Sequence, residues 1–363
     1  MKKIFVAATR QNDGKTIVSM GLMAAVKSRF SRVGYIKPVG QKYLLVNGTK
    51  VDKDAVLMKE VYGVEGDLAD MNPVAVPQGF TEEYIHNGKR HILVRKIRNA
   101  FDRLRVGKQF MLVEGTGHAG VGSVFDMSNS DVASLLNCKA ILVATGGIGR
   151  PIDEIMLNKT MFDRNNVKLV GVIINKVQPE KIKKIEPLVR DGLAKKKIAV
   201  LGVIPFCEPL SSPTMEQLLE DLQGRLLSGE KGLNKVVHRM LIGAMSPHEA
   251  LSFFGKGTLL ITPGSREDII LAAMSGSLGK DSGTYGVSGI ILTGNLPPHR
   301  IVRHLIRGTD IPVIHVMQDT FSVASHIHDL IVKVRPRDTE KIKATEHLIE
   351  KYVDIDNMID LCQ

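Results

Sequence analysis

The sequence predicts an α/β protein: a phosphate-loop parallel sheet with helices on both faces, followed by a second, smaller α/β domain. Three observations predict it. Apolar runs of strand length alternate with amphipathic stretches as far as Pro205, the pattern of a parallel sheet covered on both sides. The first run leads through a polar loop into Gly14-Lys15-Thr16 and a helical pattern. After Pro205 the texture breaks, and strand–helix alternation restarts near Leu233.

The front strands are expected at Lys3–Ala8, Val33–Ile36, Phe110–Val113, Ala140–Ala144, Leu169–Ile174 and Val200–Ile204, with helices such as Lys15–Phe30 and Ile152–Phe162 between them. The segment from Gln41 to Phe101 is longer and more polar. It suggests helices at Asp52–Tyr62 and Thr81–Leu104, with an irregular stretch at Asn72–Gln78. Pro209, Ser211, Ser212 and Pro213 mark a loop. A helix over Thr214–Leu226 then leads to Ser228–Gly232, which reads as a linker. Rear strands are expected at Thr258–Thr262, Gly289–Leu292, Val313–His315 and Leu330–Val334. Rear helices are expected at Arg266–Met274, Pro298–Arg307, Ser322–His328 and Thr339–Tyr352. The domains are therefore 1–210, a helical linker 211–232, and 233–363.

Composition narrows the function classes. The chain has 363 residues, 44% of them hydrophobic, enough for two cores. No apolar run approaches the roughly 20 residues that span a bilayer, so no membrane partner is expected. The start, Met1-Lys2-Lys3 before Ile4–Ala8, has too short an apolar run for a signal peptide and reads as a strand. The net charge is +11, but the lysines are scattered, with clusters only at Lys183-Lys184 and Lys195–Lys197. With Trp absent and no zinc spacing, nucleic-acid binding is not expected. Cys138, Cys207 and Cys362 lie far apart with no C-x-x-C pair, which fits a reducing cytoplasm.

Gly14-Lys15-Thr16 ends a G-x-x-x-x-G-K-[ST] pattern whose first glycine is replaced by Thr9. Gly14 lets the backbone turn its N–H groups towards phosphate, and the helix start adds partial positive charge. Lys15 would reach the β/γ-phosphates and the Thr16 hydroxyl would ligate Mg²⁺. Nucleotide contacts are expected from Thr9, Asn12, Asp13, Gly14, Lys15, Thr16 and Ile17. The competing reading is a plain helix start with a capping Asp13 and an exposed Lys15. Mg²⁺ wants a few carboxylates besides phosphate and water. Glu114, at the C-terminal end of an apolar strand, points into the crevice where such sheets bind ligands. Asp54 opens a helix, with Asp52 competing for the same role. Lys37, in Tyr35-Ile36-Lys37-Pro38-Val39, would neutralise the γ-phosphate or an anionic substrate.

Together these residues resemble the dethiobiotin synthetase and cobyrinic acid synthase group of P-loop proteins over residues 1–210. Lys37-Pro38-Val39, Asp54-Ala55, Val113-Glu114-Gly115 and Asn175-Lys176 stand in the family order. The resemblance implies ATP and Mg²⁺ as cofactors, with Lys15 and Lys37 as the catalytic lysines. It implies Thr16, Asp54 and Glu114 around the metal, Asn175 on the adenine edge, and a homodimer. Asn175 is otherwise a turn residue after its strand. Ala8 and Gln11 depart from the family's glycine and threonine, and the loop after Val39, Gly40-Gln41-Lys42-Tyr43, lacks the family's serines. No glutamine-amidotransferase signature is present.

The rear half looks like a DRTGG domain, on Leu259–Asp268, Gly289–Asn295 and Ile311–Ile314. The two parts together resemble the N-terminal regulatory portion of long bacterial phosphate acetyltransferases. With Gln363 as the last residue, acetyl transfer is not expected. Gly264, Arg266 and Thr293-Gly294-Asn295 would cluster at strand ends. There they either bind a small anionic metabolite or nucleotide, or simply make tight turns. The function expected is a Mg–ATP-binding protein with a regulatory or ligand-sensing rear domain. The alternative is an ATP-dependent ligase of dethiobiotin synthetase type, acting on a carboxylate or carbamate.

Overall fold

The computed structural model describes residues 1–278, 286–330 and 332–362. It divides the chain into two compact units. The first comprises Met1–Cys207 and Val334–Gln363; the second is Glu208–Lys333. This differs from the expected 1–210, 211–232 and 233–363, because the last segment returns to the front unit.

The front unit is built on β1 (Lys2–Ala8), β2 (Val33–Ile36), β7 (Phe110–Glu114), β8 (Lys139–Thr145), β9 (Leu169–Val177) and β10 (Val200–Pro205). All six expected strands form one parallel sheet in the order β10-β9-β8-β1-β7-β2. The chain first moves from β1 towards β2, then reverses through β8 to β10. Right-handed crossovers in opposite directions place helices on opposite faces, which is why the strands are almost wholly buried. The reversal lies beside β1, where open α/β sheets bind ligands at their strand ends. Two small sheets complete the unit: β3 (Val39–Gly40) with β6 (Val74–Ala75), and the hairpin β4 (Tyr43–Val46) with β5 (Thr49–Asp52). Neither was expected from the pattern, and β6 falls inside the stretch read as irregular. The hairpin turns at Asn47-Gly48, both at positive φ, as a two-residue loop requires.

The helix expected over Thr81–Leu104 is two helices, Phe80–Asn87 and Arg90–Leu104. They part at Gly88, where a Cβ would lie 2.3 Å from the Tyr84 carbonyl oxygen. The helices Thr339–Tyr352 and Ile355–Leu361 pack into the front core through Ile349, Val353, Met358 and Ile359.

The rear unit is a five-stranded sheet of β11 (Arg225–Ser228), β12 (Arg239–Ile242), β13 (Thr258–Pro263), β14 (Gly289–Thr293) and β15 (Val313–His315). The order is β11-β15-β14-β13-β12, with β11 antiparallel and the rest parallel. Alternate residues feed two cores. Leu260, Ile290, Leu292 and Val313 face one; Leu259, Ile261, Ile291 and Ile314 face the other. The helix expected over Thr214–Leu226 ends at Asp221. Gln223 turns left-handed, and Arg225–Ser228 becomes the edge strand instead. The expected linker Ser228–Gly232 belongs to this unit, with Gly229 pressed against Ile311. Leu330 and residues 332–334 form no strand; Ile331 lies outside the described residues.

Candidate functional site: the crevice beside β1

The phosphate loop joins β1 to the Lys15–Arg29 helix. Gly14 holds φ +93° at the helix start, and a Cβ there would lie 2.1 Å from the Asn175 side-chain nitrogen, so only glycine fits. The helix has no side-chain cap and no acidic residue in its first turn. Its N-terminal N–H groups and partial positive charge are therefore not already answered. Elsewhere Asp52, Ser128, Thr214 and Asp319 cap their helices with side-chain oxygens.

Asp13 shapes the loop that lacks its first glycine. Its Oδ2 accepts from the Thr9 hydroxyl at 2.6 Å and from the Arg10 N–H at 2.8 Å. Burial raises the carboxyl above its ordinary value, against the lowering effect of those two bonds. Thr9 and Asp13 thus turn their side chains to each other. Asn12 sits at φ +69°, and its carbonyl accepts from Lys176 Nζ at 2.7 Å. Ile17 packs against the hydrophobic core. Asn175, at the end of β9, donates from Nδ2 to the Asp13 carbonyl at 2.9 Å, so it lies directly against the loop.

The acidic side of the crevice gathers five of the expected residues. Glu114 is fully buried at the end of β7. Its Oε1 lies 2.8 Å from Lys15 Nζ and 3.3 Å from Thr16 Oγ1. Thr16 Oγ1 is 3.2 Å from Asp54 Oδ2. Lys37, also buried, pairs with Asp54, with Asp52 at 3.1 Å and with Glu114 at 3.7 Å. Burial pushes the Lys37 ammonium down, but the carboxylates of Asp54, Glu114 and Asp52 outweigh it and hold it above its ordinary value. Asp52 caps the Lys53–Tyr62 helix through the Asp54 N–H at 2.9 Å, so the neighbouring aspartates divide the work. Lys37 meets carboxylates on three sides, where the sequence suggested an ammonium facing phosphate or substrate.

Three further residues escaped the sequence reading. The Tyr35 hydroxyl donates to Glu114 Oε2 at 3.1 Å. Burial and the adjacent carboxylates of Glu114, Asp54 and Asp52 raise its phenol well above the usual value, keeping it a donor. Asn129 holds the backbone of Thr116 and His118, and Asn158 bonds to Thr9 and Ala119. Buried asparagines inside helical segments are the only trace the last two leave in the sequence.

The donor set suits Mg²⁺. Thr16 Oγ1 lies between carboxylate oxygens of Asp54 and Glu114, all hard donors, and two lysines balance the carboxylates. In the rear unit the strand-end loops do come together: the Gly264 N–H donates to the Thr293 carbonyl at 3.1 Å. Arg266, however, donates to the Gly243 and Met245 carbonyls and pairs with Asp268. Its guanidinium braces the loop.

These features agree with sequence comparisons. The AAA domain family is matched over residues 2–214 and the DRTGG domain family over residues 217–330. The phosphate acetyltransferase of Nitratidesulfovibrio vulgaris is 28% identical over 368 residues, covering 97% of this chain and 50% of its own. That of Synechocystis sp. is 27% identical over 364 residues, covering 98% and 51%. The chain spans about half the length of the curated relatives it matches. Among solved structures, the MinC:MinD cell division protein complex of Aquifex aeolicus is 15% identical, covering 58% of this chain and 84% of its own, with a TM-score of 0.37. The CBS and DRTGG domains of the regulatory region of Clostridium perfringens pyrophosphatase, complexed with the activator diadenosine tetraphosphate, are 22% identical, covering 37% and 58%, with a TM-score of 0.26.

Proposed function

The chain belongs to the AAA domain family over residues 2–214, with a DRTGG domain behind it, and from that premise we propose that it binds Mg–ATP in the front unit and uses the rear unit to sense a ligand or partner. One observation carries the reading. The uncapped start of the Lys15–Arg29 helix opens beside a hydrogen-bonded chain in which Lys15 meets Glu114, Glu114 meets Thr16, and Thr16 meets Asp54. A triphosphate there would meet backbone N–H groups and the Lys15 ammonium. Thr16, Asp54 and Glu114 would hold Mg²⁺, which would offset phosphate charge. Lys37 stays among Asp52, Asp54 and Glu114 and keeps the cluster compact. The ligase alternative needs a lysine free to meet a second substrate, and Lys37 offers it no support. Asn175, with one amide hydrogen on the Asp13 carbonyl, would face adenine through the rest of its amide. The homodimer and the reducing cytoplasm that the sequence suggests belong to the same reading. Among the described residues, no helix is long and apolar enough to cross a membrane.

The test is titration calorimetry of ATP, with and without Mg²⁺, into the wild type and Lys15→Ala. Hydrogen exchange is followed over residues 208–333 in the same samples. The wild type should bind in a Mg²⁺-dependent way, and the variant should lose at least about tenfold in affinity. Absence of any Mg²⁺-dependent heat in the wild type sinks the nucleotide assignment. Unchanged exchange in the rear unit on adding ATP removes the regulatory half.

A further inference from the structure

Resting on the Mg–ATP reading, we propose that Asn158 is a positioning residue for the terminal phosphate, because its amide ties the phosphate loop to the loop Gly115–Gly120. Asn158 lies on the Gly149–Arg164 helix and is 8% exposed. Its Nδ2 donates to the Thr9 carbonyl at 3.2 Å and to the Glu154 carbonyl at 2.9 Å. Its Oδ1 accepts from the Ala119 N–H at 2.7 Å. One helical turn earlier, Glu154 pairs with Arg10 at 2.9 Å, and Arg10 also donates to Thr145 Oγ1 at 3.0 Å. The helix therefore grips the phosphate loop twice, by the backbone of residue 9 and the side chain of residue 10.

The second loop is equally constrained. The Ala8 N–H donates to the Gly117 carbonyl at 3.1 Å, and Asn129 holds Thr116 and His118. Asparagine is a poor choice inside a helix, and a buried amide costs stability unless bonded. Here its bonds run to the two loops as well as to its own helix. Gly115 follows Glu114, whose carboxylate touches Lys15. The β/γ end of the ligand, which Lys15 reaches, is thus the part nearest the second loop. ADP keeps the β-phosphate and lacks the γ-phosphate, so loosening the tie weakens ATP more than ADP. A purely structural role would weaken both alike, in step with the melting temperature.

The experiment measures Mg–ATP and Mg–ADP affinities for the wild type, Asn158→Asp, Asn158→Leu and Glu154→Gln. Aspartate retains an acceptor for Ala119 and loses the donor to Thr9. Both Asn158 variants should lose about tenfold or more in ATP affinity while ADP shifts less than about threefold. Glu154→Gln should lower the ATP/ADP ratio by a smaller factor, which keeps the test open if Asn158→Leu does not fold. Equal losses for both nucleotides, or an unchanged ratio, overturn the proposal. A wild type that binds neither nucleotide overturns the Mg–ATP reading and this inference with it. A wild type that binds both, beside variants that keep its ratio, overturns this inference alone.

Discussion

At the residue scale, Asp13 and Lys37 carry opposite lessons about buried charge. The Asp13 carboxyl is raised by burial, although Thr9 and Arg10 bond to it. A carboxyl raised on folding contributes stability below its unfolded value of about 4, and that contribution is lost as pH climbs through the raised value. Asp13→Asn keeps an oxygen for both bonds and removes the charge. Its melting temperature should exceed the wild type's at neutral pH, with the gap closing below about pH 4; a pH series of thermal melts checks this. The variant should also bind ATP at least as tightly, because one anion beside the phosphates is gone. Lys37 is the reverse case, an ammonium raised above its ordinary value by three carboxylates despite its burial. Its contribution is present below the ordinary lysine value of about 10.4 and is lost only as pH rises beyond it. Lys37→Met leaves Asp52, Asp54 and Glu114 facing one another without that cation. We expect about 3–5 kcal/mol of destabilisation, measured by denaturant unfolding at neutral pH.

Elements show where periodicity was a sufficient guide and where close contact overrode it. The Lys15–Arg29 helix packs on Thr339–Tyr352 through Gly21, where a Cβ would lie 2.1 Å from Ile349 Cγ1 and 3.1 Å from the Thr345 carbonyl oxygen. Gly21→Ala would gain about 1 kcal/mol of helix propensity on an isolated helix. In this contact the overpacking should cost about 1–3 kcal/mol and reverse the sign, as a lowered melting temperature would show. Long apolar runs such as Leu169–Ile174 were legible because a strand buried on both faces tolerates no polar residue. The short hairpin at Asn47-Gly48 was missed despite its turn dipeptide, because its strands carry exposed Leu45 and no clean alternation. The edge strand Arg225–Ser228 was hidden because Arg225 and Leu226 also complete a helical pattern and Ser228 opens a stretch that reads as a linker. Only pairing with Val313–His315 decides between them.

Across the whole molecule, the rear unit interrupts the front one. Residues 334–363 belong to the front core, where Val353 bridges Gly202 and the Asp354 N–H donates to the Leu201 carbonyl at 2.8 Å. Lys2 and Lys139 also donate to carbonyls of the final helix. Deleting residues 334–363 should therefore lower the unfolding temperature of the front unit. Residues 208–333 alone, with their two cores, should melt cooperatively; calorimetric melts of the two fragments check both statements. The sequence by itself determined the fold class, the six front strands, the glycine-lysine-threonine turn and the identity of the acids around it. Each of these is written in local period or in side-chain chemistry. Tertiary structure alone decided that the last thirty residues close the front core, that Lys37 is enclosed by carboxylates, and that Asn158 joins two loops. Those outcomes depend on contacts between residues far apart in the chain, and no local pattern records which partner a buried charge or amide will meet.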